Sequence, residues 1–257
     1  MSRLEARNLS VSLGDREILH QIDLTIPPGS FVGLIGPNGA GKSTLMRALA
    51  GLIAFSGEIR VGDRSLGSLG GMERAREIAY MAQSRDIAWP ISVEDVVALG
   101  RLPHRPPFTG PSQRDRDVIE RVVTELELAG LRARRATELS GGETARVMTA
   151  RVLAQDTDII IADEPTAGLD PAHQLNLMKI FSGLSDRGRT VIVSLHELGL
   201  AARWCRRLLL LDQGQIRADG APEEVLTAEN LKSVYHIDAF VGRDAGGLLL
   251  VPTGVSR

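Results

Sequence analysis

Apolar residues change their spacing several times along the chain, and each change marks an element. Near the N-terminus Leu9, Val11 and Leu13, then Ile22, Leu24 and Ile26, alternate with polar residues, the period of half-buried strands, and "GDRE" between the runs supplies a turn. An antiparallel ribbon is predicted there. After "PPG" comes "SFVGLIG", a short apolar strand running into a glycine-rich loop. Leu45, Leu49 and Leu52 then recur at helical spacing before the hairpin-like "SGEIRVGD". From about Ser84 to Gln155 the chain reads as helix, with a hydroxyl followed three residues later by an acid at Ser92 and Asp95, Ser112 and Asp115, and Ser140 and Glu143. The proline- and arginine-rich "RLPHRPPFTGPS" inside it is predicted to be an exposed connection.

Beyond this insertion strands and helices alternate: "DIIIAD", a helix from Pro171 behind the cap Asp170, "TVIVSL", another helix, "RLLLLD", a "DQGQ" turn and an "IRADG" strand. Such alternation predicts a mostly parallel sheet covered by helices, an α/β fold. The last segments, "PEEVLTAENLKSVYHIDAFVG" and "GLLLVPTG", read as a small helix and a trailing strand or loop.

Composition narrows the function classes. The 257 residues are 43% apolar and 24% charged, the balance of a globular chain with a sizeable core. Purely apolar runs such as Ile159 to Ala162 and Leu208 to Leu211 are far shorter than the roughly 18 residues a spanning helix needs. The start, "MSRLEARNLS", lacks an apolar stretch behind a basic one, so a cytoplasmic protein is expected. A single cysteine, Cys205, excludes an internal disulfide and a thiolate-rich zinc site. A net charge of −2 and 4% aromatics give no footprint for nucleic acid, and none is expected as a partner. Of 30 basic residues only Lys42, Lys179 and Lys232 are lysines, which singles out any position that keeps a compact ammonium.

Lys42 lies in "GPNGAGKST", where Gly36, four residues, then Gly41, Lys42 and Ser43 stand between a predicted strand and a predicted helix. Glycines let successive backbone N–H groups wrap phosphate oxygens, and the following helix adds partial positive charge. Lys42 then reaches the outer phosphates and the Ser43 hydroxyl suits Mg²⁺. Acids at the end of another buried strand complete such a site. "IIIADEP" supplies Asp163, suited to Mg²⁺, and Glu164, suited to polarising the attacking water. His196 follows "TVIVSL" and Gln83 ends "IAYMAQ", each at a predicted strand end where ligands of α/β sheets gather. In "LSGGE" Ser140 and Glu143 make a capping box, but Gly141 and Gly142 in a first helical turn weaken a helix while leaving N–H groups open to an anion, so a second phosphate site is expected.

Taken in order, these elements resemble the ATPase subunit of an ATP-binding cassette transporter over nearly the whole chain. The resemblance implies a P-loop NTPase core with a mostly parallel sheet, an N-terminal antiparallel subdomain and an inserted helical subdomain, with the core at residues 1–83 and 156–257 and the insertion at 84–155. It makes "GPNGAGKST" the Walker A loop, with Gly36, Asn38, Gly39, Gly41, Lys42, Ser43 and Thr44 on the nucleotide. Gln83 becomes the Q-loop residue and "LSGGE" the signature motif. "IIIADE" is then Walker B, "AGLD" up to Asp170 the D-loop, and His196 the switch histidine. ATP and Mg²⁺ are the implied cofactors, with Ser43, Gln83 and Asp163 on the metal and Glu164 and His196 at the reacting phosphate.

The implied assembly is a head-to-tail homodimer with ATP between one Walker A loop and the other signature helix. It sits under two permease subunits on the cytoplasmic face of the membrane and is served indirectly by a periplasmic substrate-binding protein. The stretch "QSRDIAWPISVEDVVALGRLPH" is expected on the permease side, with Trp89 as a candidate anchor. That stretch and "PEEVLTAENL" are most similar to importer cassettes for iron siderophores, haem and cobalamin. The pattern departs from the family where an aromatic usually stacks on adenine: Leu13 stands there before Gly14, and Arg16 is the nearest planar side chain. After the signature, Thr144 and Ala145 replace the usual amide-rich pair while Arg146 keeps its position. The competing readings are a cassette for another cargo, one acting on DNA or ribosomes, and a small-molecule phosphotransferase.

Overall fold

A computed structural model describes residues 2–84, 87–106, 108–244 and 247–256. Strands β1 (Leu4–Leu13) and β2 (Arg16–Ile26) form the N-terminal hairpin. Strand β3 (Phe31–Ile35) passes through the glycine loop into α1 (Lys42–Leu49), and β4 (Ser56–Val61), β5 (Arg64–Ser65), α2 (Gly71–Glu77) and β6 (Ile78–Met81) follow. The insertion holds α3 (Val93–Ala98), a 3-10 segment over Leu99–His104, α4 (Gln113–Glu125) and α5 (Gly141–Ala154). The chain then alternates through β7 (Ile159–Ala162), α6 (Pro171–Asp186), β8 (Thr190–Ser194), α7 (Leu198–Trp204), β9 (Arg207–Asp212) and β10 (Gln215–Gly220). Two short helices, α8 (Pro222–Val225) and α9 (Ala228–Tyr235), precede a hairpin of β11 (Ile237–Asp244) and β12 (Gly247–Val255).

Two sheets carry the core. One is antiparallel in the order β2-β1-β4-β5, and the central six-stranded sheet runs β10-β9-β3-β8-β7-β6, parallel except for β10 at its edge. The continuous apolar runs of the central strands reflect burial on both faces. Val32, Leu34, Ile159, Ile161, Ile192, Leu209 and Leu211 point into a cluster shared with α1 and the antiparallel sheet. Their neighbours Phe31, Ile35, Ile160, Ala162, Val191, Val193, Leu208 and Leu210 point the other way, into a cluster with the helices. Each Val, Leu, Ile or Phe side chain among them contributes on the order of 1.5–3 kcal/mol on burial. On the helical side Phe31 meets Phe181 edge to face, with ring centroids 6.5 Å apart.

The three predicted caps are present at Ser92, Ser112 and Ser140, and Asp170 caps α6 ahead of Pro171. Two expectations change. The C-terminal segment forms a paired hairpin, with Leu248 and Leu250 buried in the helical-side core, because alternate β12 residues cover the flank of α7. The start of "RLPHRPPFTGPS" is not an exposed connection: Arg101 is only 2% accessible and Pro103 is buried. Arg101 Nε donates to Asp115 Oδ1 at 2.8 Å and Nη1 to the Ala154 carbonyl at 2.8 Å, joining the 3-10 segment to α4 and α5. Gly100 is needed for that approach, since a Cβ there would lie 2.1 Å from the Arg151 carbonyl oxygen.

Burial pushes the Asp115 carboxyl up, but hydrogen bonds from Ser112 and Arg101 overcome it and hold the group at about 2. A depressed carboxylate pKa adds stability that is complete above the ordinary carboxylate range and lost as pH falls towards about 2. Arg101→Met, which strands the buried carboxylate, is expected to cost about 3–5 kcal/mol in urea unfolding. Adding Asp115→Leu should recover most of that loss, and a single variant as stable as the parent would refute the clamp.

Candidate functional site

Register decides which residues meet. Leu34 of β3 pairs with Ser194 of β8, Val193 of β8 with Ala162 of β7, and Ala162 with Met81 of β6. Four parallel strands therefore end in one row, and the residues just beyond them face a common crevice: the glycine loop after β3, Asp163 and Glu164 after β7, Leu195 and His196 after β8, and Gln83 after β6. The strand carrying Gln83 stops at Met81, so the glutamine lies two residues past the strand and not at its last position.

The loop has the shape of an anion cradle. Gly36 (φ 150°) and Gly41 (φ 103°) adopt backbone angles that disfavour side chains, and a Cβ on Gly36 would lie 2.1 Å from the Leu211 carbonyl oxygen. The buried Lys42 ammonium donates to the Gly36 carbonyl at 2.7 Å and the Pro37 carbonyl at 3.0 Å. Among the described residues it forms no ion pair. Burial lowers its pKa, and Glu164 and Asp163 oppose that shift. Ser43 and Thr44 occupy the first turn of α1 behind the cap Gly41, while Asn38 and Gly39 are exposed on the loop rim.

The acids are held in distinct ways. Asp163 is fully buried: Ser194 Oγ donates to its Oδ1 at 2.7 Å, and Tyr80 Oη donates to Oδ2 at 3.4 Å. Ser194 Oγ also accepts the Glu164 backbone N–H at 2.8 Å. Glu164 has φ 49°, in the left-handed region that a residue with a Cβ seldom adopts. Its Oε2 accepts from Gln83 Nε2 at 2.7 Å and its Oε1 from His196 Nε2 at 2.5 Å. Two predicted residues, Gln83 and His196, thus converge on the carboxylate of a third.

The other predicted residues lie elsewhere. Ser140 and Glu143 form the reciprocal cap, Ser140 N donating to Glu143 Oε2 at 2.7 Å and Glu143 N to Ser140 Oγ at 3.3 Å. A Cβ at Gly141 or Gly142 would meet nothing within 4 Å, so steric crowding inside this chain does not require glycine there. Asp170 accepts the His173 N–H at 3.0 Å, the main cause of its lowered pKa. Leu13 is 51% exposed at the tip of the first hairpin. Trp89 is 74% exposed, and Arg85 and Asp86 of the same stretch lie outside the described residues. Ser194 and Tyr80 were not singled out from sequence, although the hydroxyl ending "TVIVS" next to the acid pair was the available signal.

Residues 19–167 match the model of the ABC transporter family. The chain belongs to that family. The cassette is 41% identical over 244 residues to the hemin import ATP-binding protein HmuV of Pseudomonas entomophila, covering 93% of this chain and 94% of the relative. It is also 41% identical over 261 residues to the HmuV of Bordetella avium, covering 96% and 98%. Among solved structures, a metal-chelate type ABC transporter in an inward-facing conformation superposes with a TM-score of 0.84 at 26% identity, over 98% of each chain. The dimeric ATP-binding cassette MJ0796 bound to ADP and Pi superposes with a TM-score of 0.75 at 25% identity, over 85% of this chain and 98% of that one. This cassette is an ATPase.

Among the described residues no group of three or more His, Cys, Asp or Glu side chains forms a metal cage. One buried carboxylate and a serine hydroxyl fit instead a Mg²⁺ that arrives with the phosphates and keeps part of its water shell. Ser194 couples that carboxylate to the Glu164 backbone. Ser194→Ala is expected to lower ATPase kcat about tenfold with KM nearly unchanged and the fold intact, as checked by steady-state kinetics and circular dichroism. A parent-like kcat would show that the bridge is dispensable.

Proposed function

We propose that the chain powers an importer for haem or a related iron chelate or cobalamin, working as a pair of copies beneath two permease subunits on the cytoplasmic face of the membrane. A periplasmic substrate-binding protein delivers the cargo. The observation that carries the ATPase part is the clasp on Glu164, whose two oxygens are occupied by Gln83 and His196 across from the Lys42 cradle. The names of the curated relatives support haem as cargo. Among the described residues no helix is long and apolar enough to cross a membrane, in keeping with a separate permease.

In this reading the backbone of Gly36, Asn38, Gly39, Gly41 and Thr44 binds the phosphates, and Lys42 turns from the Gly36 and Pro37 carbonyls towards the outer ones. Ser43, Asp163 and Gln83 hold Mg²⁺, which neutralises charge on the leaving phosphates when bound. His196 Nε2 turns to hydrogen-bond the terminal phosphate and so leaves Glu164 Oε1, and Gln83, which would help to hold the metal, leaves Oε2. Glu164 then takes a proton from the attacking water. The base is thus released by the same residues that register the loaded site.

The open space at Gly141 and Gly142 supports the paired assembly. With the first-turn N–H groups unscreened by side chains, the signature helix of one copy closes over phosphates held by the other, with Ser140, Glu143 and Asp170 at the seam. On the permease side Trp89, Leu99 and Leu102 stand exposed around the insertion. Arg101 and Gly100 of "VALGRLPH" belong instead to the clamp inside it.

Glu164→Gln should retain Mg-ATP affinity, lose at least about a hundredfold in turnover and accumulate a dimer in size-exclusion chromatography. Parent-like hydrolysis would refute the assignment. A tagged Glu164→Gln chain extracted from membranes with Mg-ATP should co-purify with a multi-spanning permease. Recovery with ribosomes or DNA and no membrane protein would overturn the transport reading. Transport assays with haem, ferric chelates and cobalamin then separate the cargoes.

A further inference from the structure

His196 stands in a short link, residues 195–197, between β8 and α7. Leu195 is buried and its N–H donates to the Leu34 carbonyl at 3.3 Å, which fixes the link at its start. Among the described residues the His196 ring makes one hydrogen bond, to Glu164. In the proposed cycle the ring gives that bond up, so its position must then come from the chain on either side.

Glu197 fixes the other end. It is the N-cap residue of α7, yet its side chain makes no bond to the first-turn N–H groups that such a residue ordinarily caps. The carboxylate crosses instead to the chain that follows the acid pair: Thr166 Oγ1 donates to its Oε2 at 3.3 Å, and Gln174 Nε2 donates to its Oε1 at 3.3 Å. Both donors are themselves held. Thr166 is 1% accessible and lies in a turn closed by the Ala167 N–H, which donates to the Glu164 carbonyl at 3.2 Å. Gln174, near the start of α6, also donates to the Thr166 carbonyl at 3.4 Å. Bonds of this length to an exposed carboxylate contribute little stability, and what they set is where the link lies. The two turns are therefore stitched twice, Glu164 to His196 and Thr166 to Glu197. The first stitch opens when the imidazole moves to the terminal phosphate, and the second stays.

We propose that Glu197 is a positioning residue for His196: it anchors the link to Thr166 and Gln174, so that the imidazole released from Glu164 stays within reach of the reacting phosphate. The proposal rests on the role given to His196 in hydrolysis and adds the group that holds that side chain in place. The effect of Glu197 passes entirely through its neighbour.

The test is steady-state ATPase kinetics of the full chain in two backgrounds, the parent and His196→Ala. Glu197→Ala is expected to lower kcat about tenfold in the parent, with KM within about twofold, and to leave the residual rate of His196→Ala where it was. Thr166→Val, which removes the hydroxyl and keeps the branched side chain, should reproduce part of the loss. Glu197→Gln, which keeps an acceptor for that hydroxyl, should restore most of kcat. Losses that multiply when Glu197→Ala is added to His196→Ala would overturn the proposal, because a residue acting through the imidazole has nothing left to act on once it is gone. So would a parent-like kcat in Glu197→Ala alone. A parent-like kcat in His196→Ala would sink the role of the histidine itself and the proposal with it, a failure distinct from the other two.

Discussion

Everything at the site depends on the stagger of four parallel strands. Parallel pairing requires both faces of the sheet to be covered, and covering them leaves the carboxyl ends as the one place where polar side chains from different strands can gather. With Leu34 opposite Ser194 and Val193 opposite Ala162, the residues one or two steps beyond the strands come level. A slip of a single residue would reverse every side chain between the two cores and turn Asp163 away from Ser194. The same apolar alternation that stabilises the sheet therefore sets the chemistry in register.

Two kinds of electrostatic holding coexist, and they differ in purpose. In the insertion, Arg101 and Asp115 are buried and satisfied by each other, by Ser112 and by the Ala154 carbonyl, a closed arrangement that gives up nothing during turnover. At the strand ends the contacts are provisional: Lys42 rests on two backbone carbonyls, and Glu164 on groups that have other work.

Much of this was legible in the sequence because it is local. The cradle, the acid pair and the caps are set by neighbours a few residues apart, and the alternation of strands and helices predicts the central sheet. Long-range features were not. Arg101 looks like one more surface arginine in a proline-rich stretch, and only the fold brings it to Asp115 and Ala154. Ser194 is an ordinary strand terminus until β7 lies beside it. The β11–β12 hairpin was obscured because Phe240 and Val251 pair on an exposed face, so the expected apolar and polar alternation is blurred.

The Ser194 hydroxyl has a wider consequence. By donating to Asp163 and accepting from the main chain of Glu164, it ties the buried carboxylate to the backbone of the residue beside it. The two acids thus share one anchor, and Gln83 and His196 hold the free end of the Glu164 side chain. A single oxygen atom joins acids whose side chains lie on different partners.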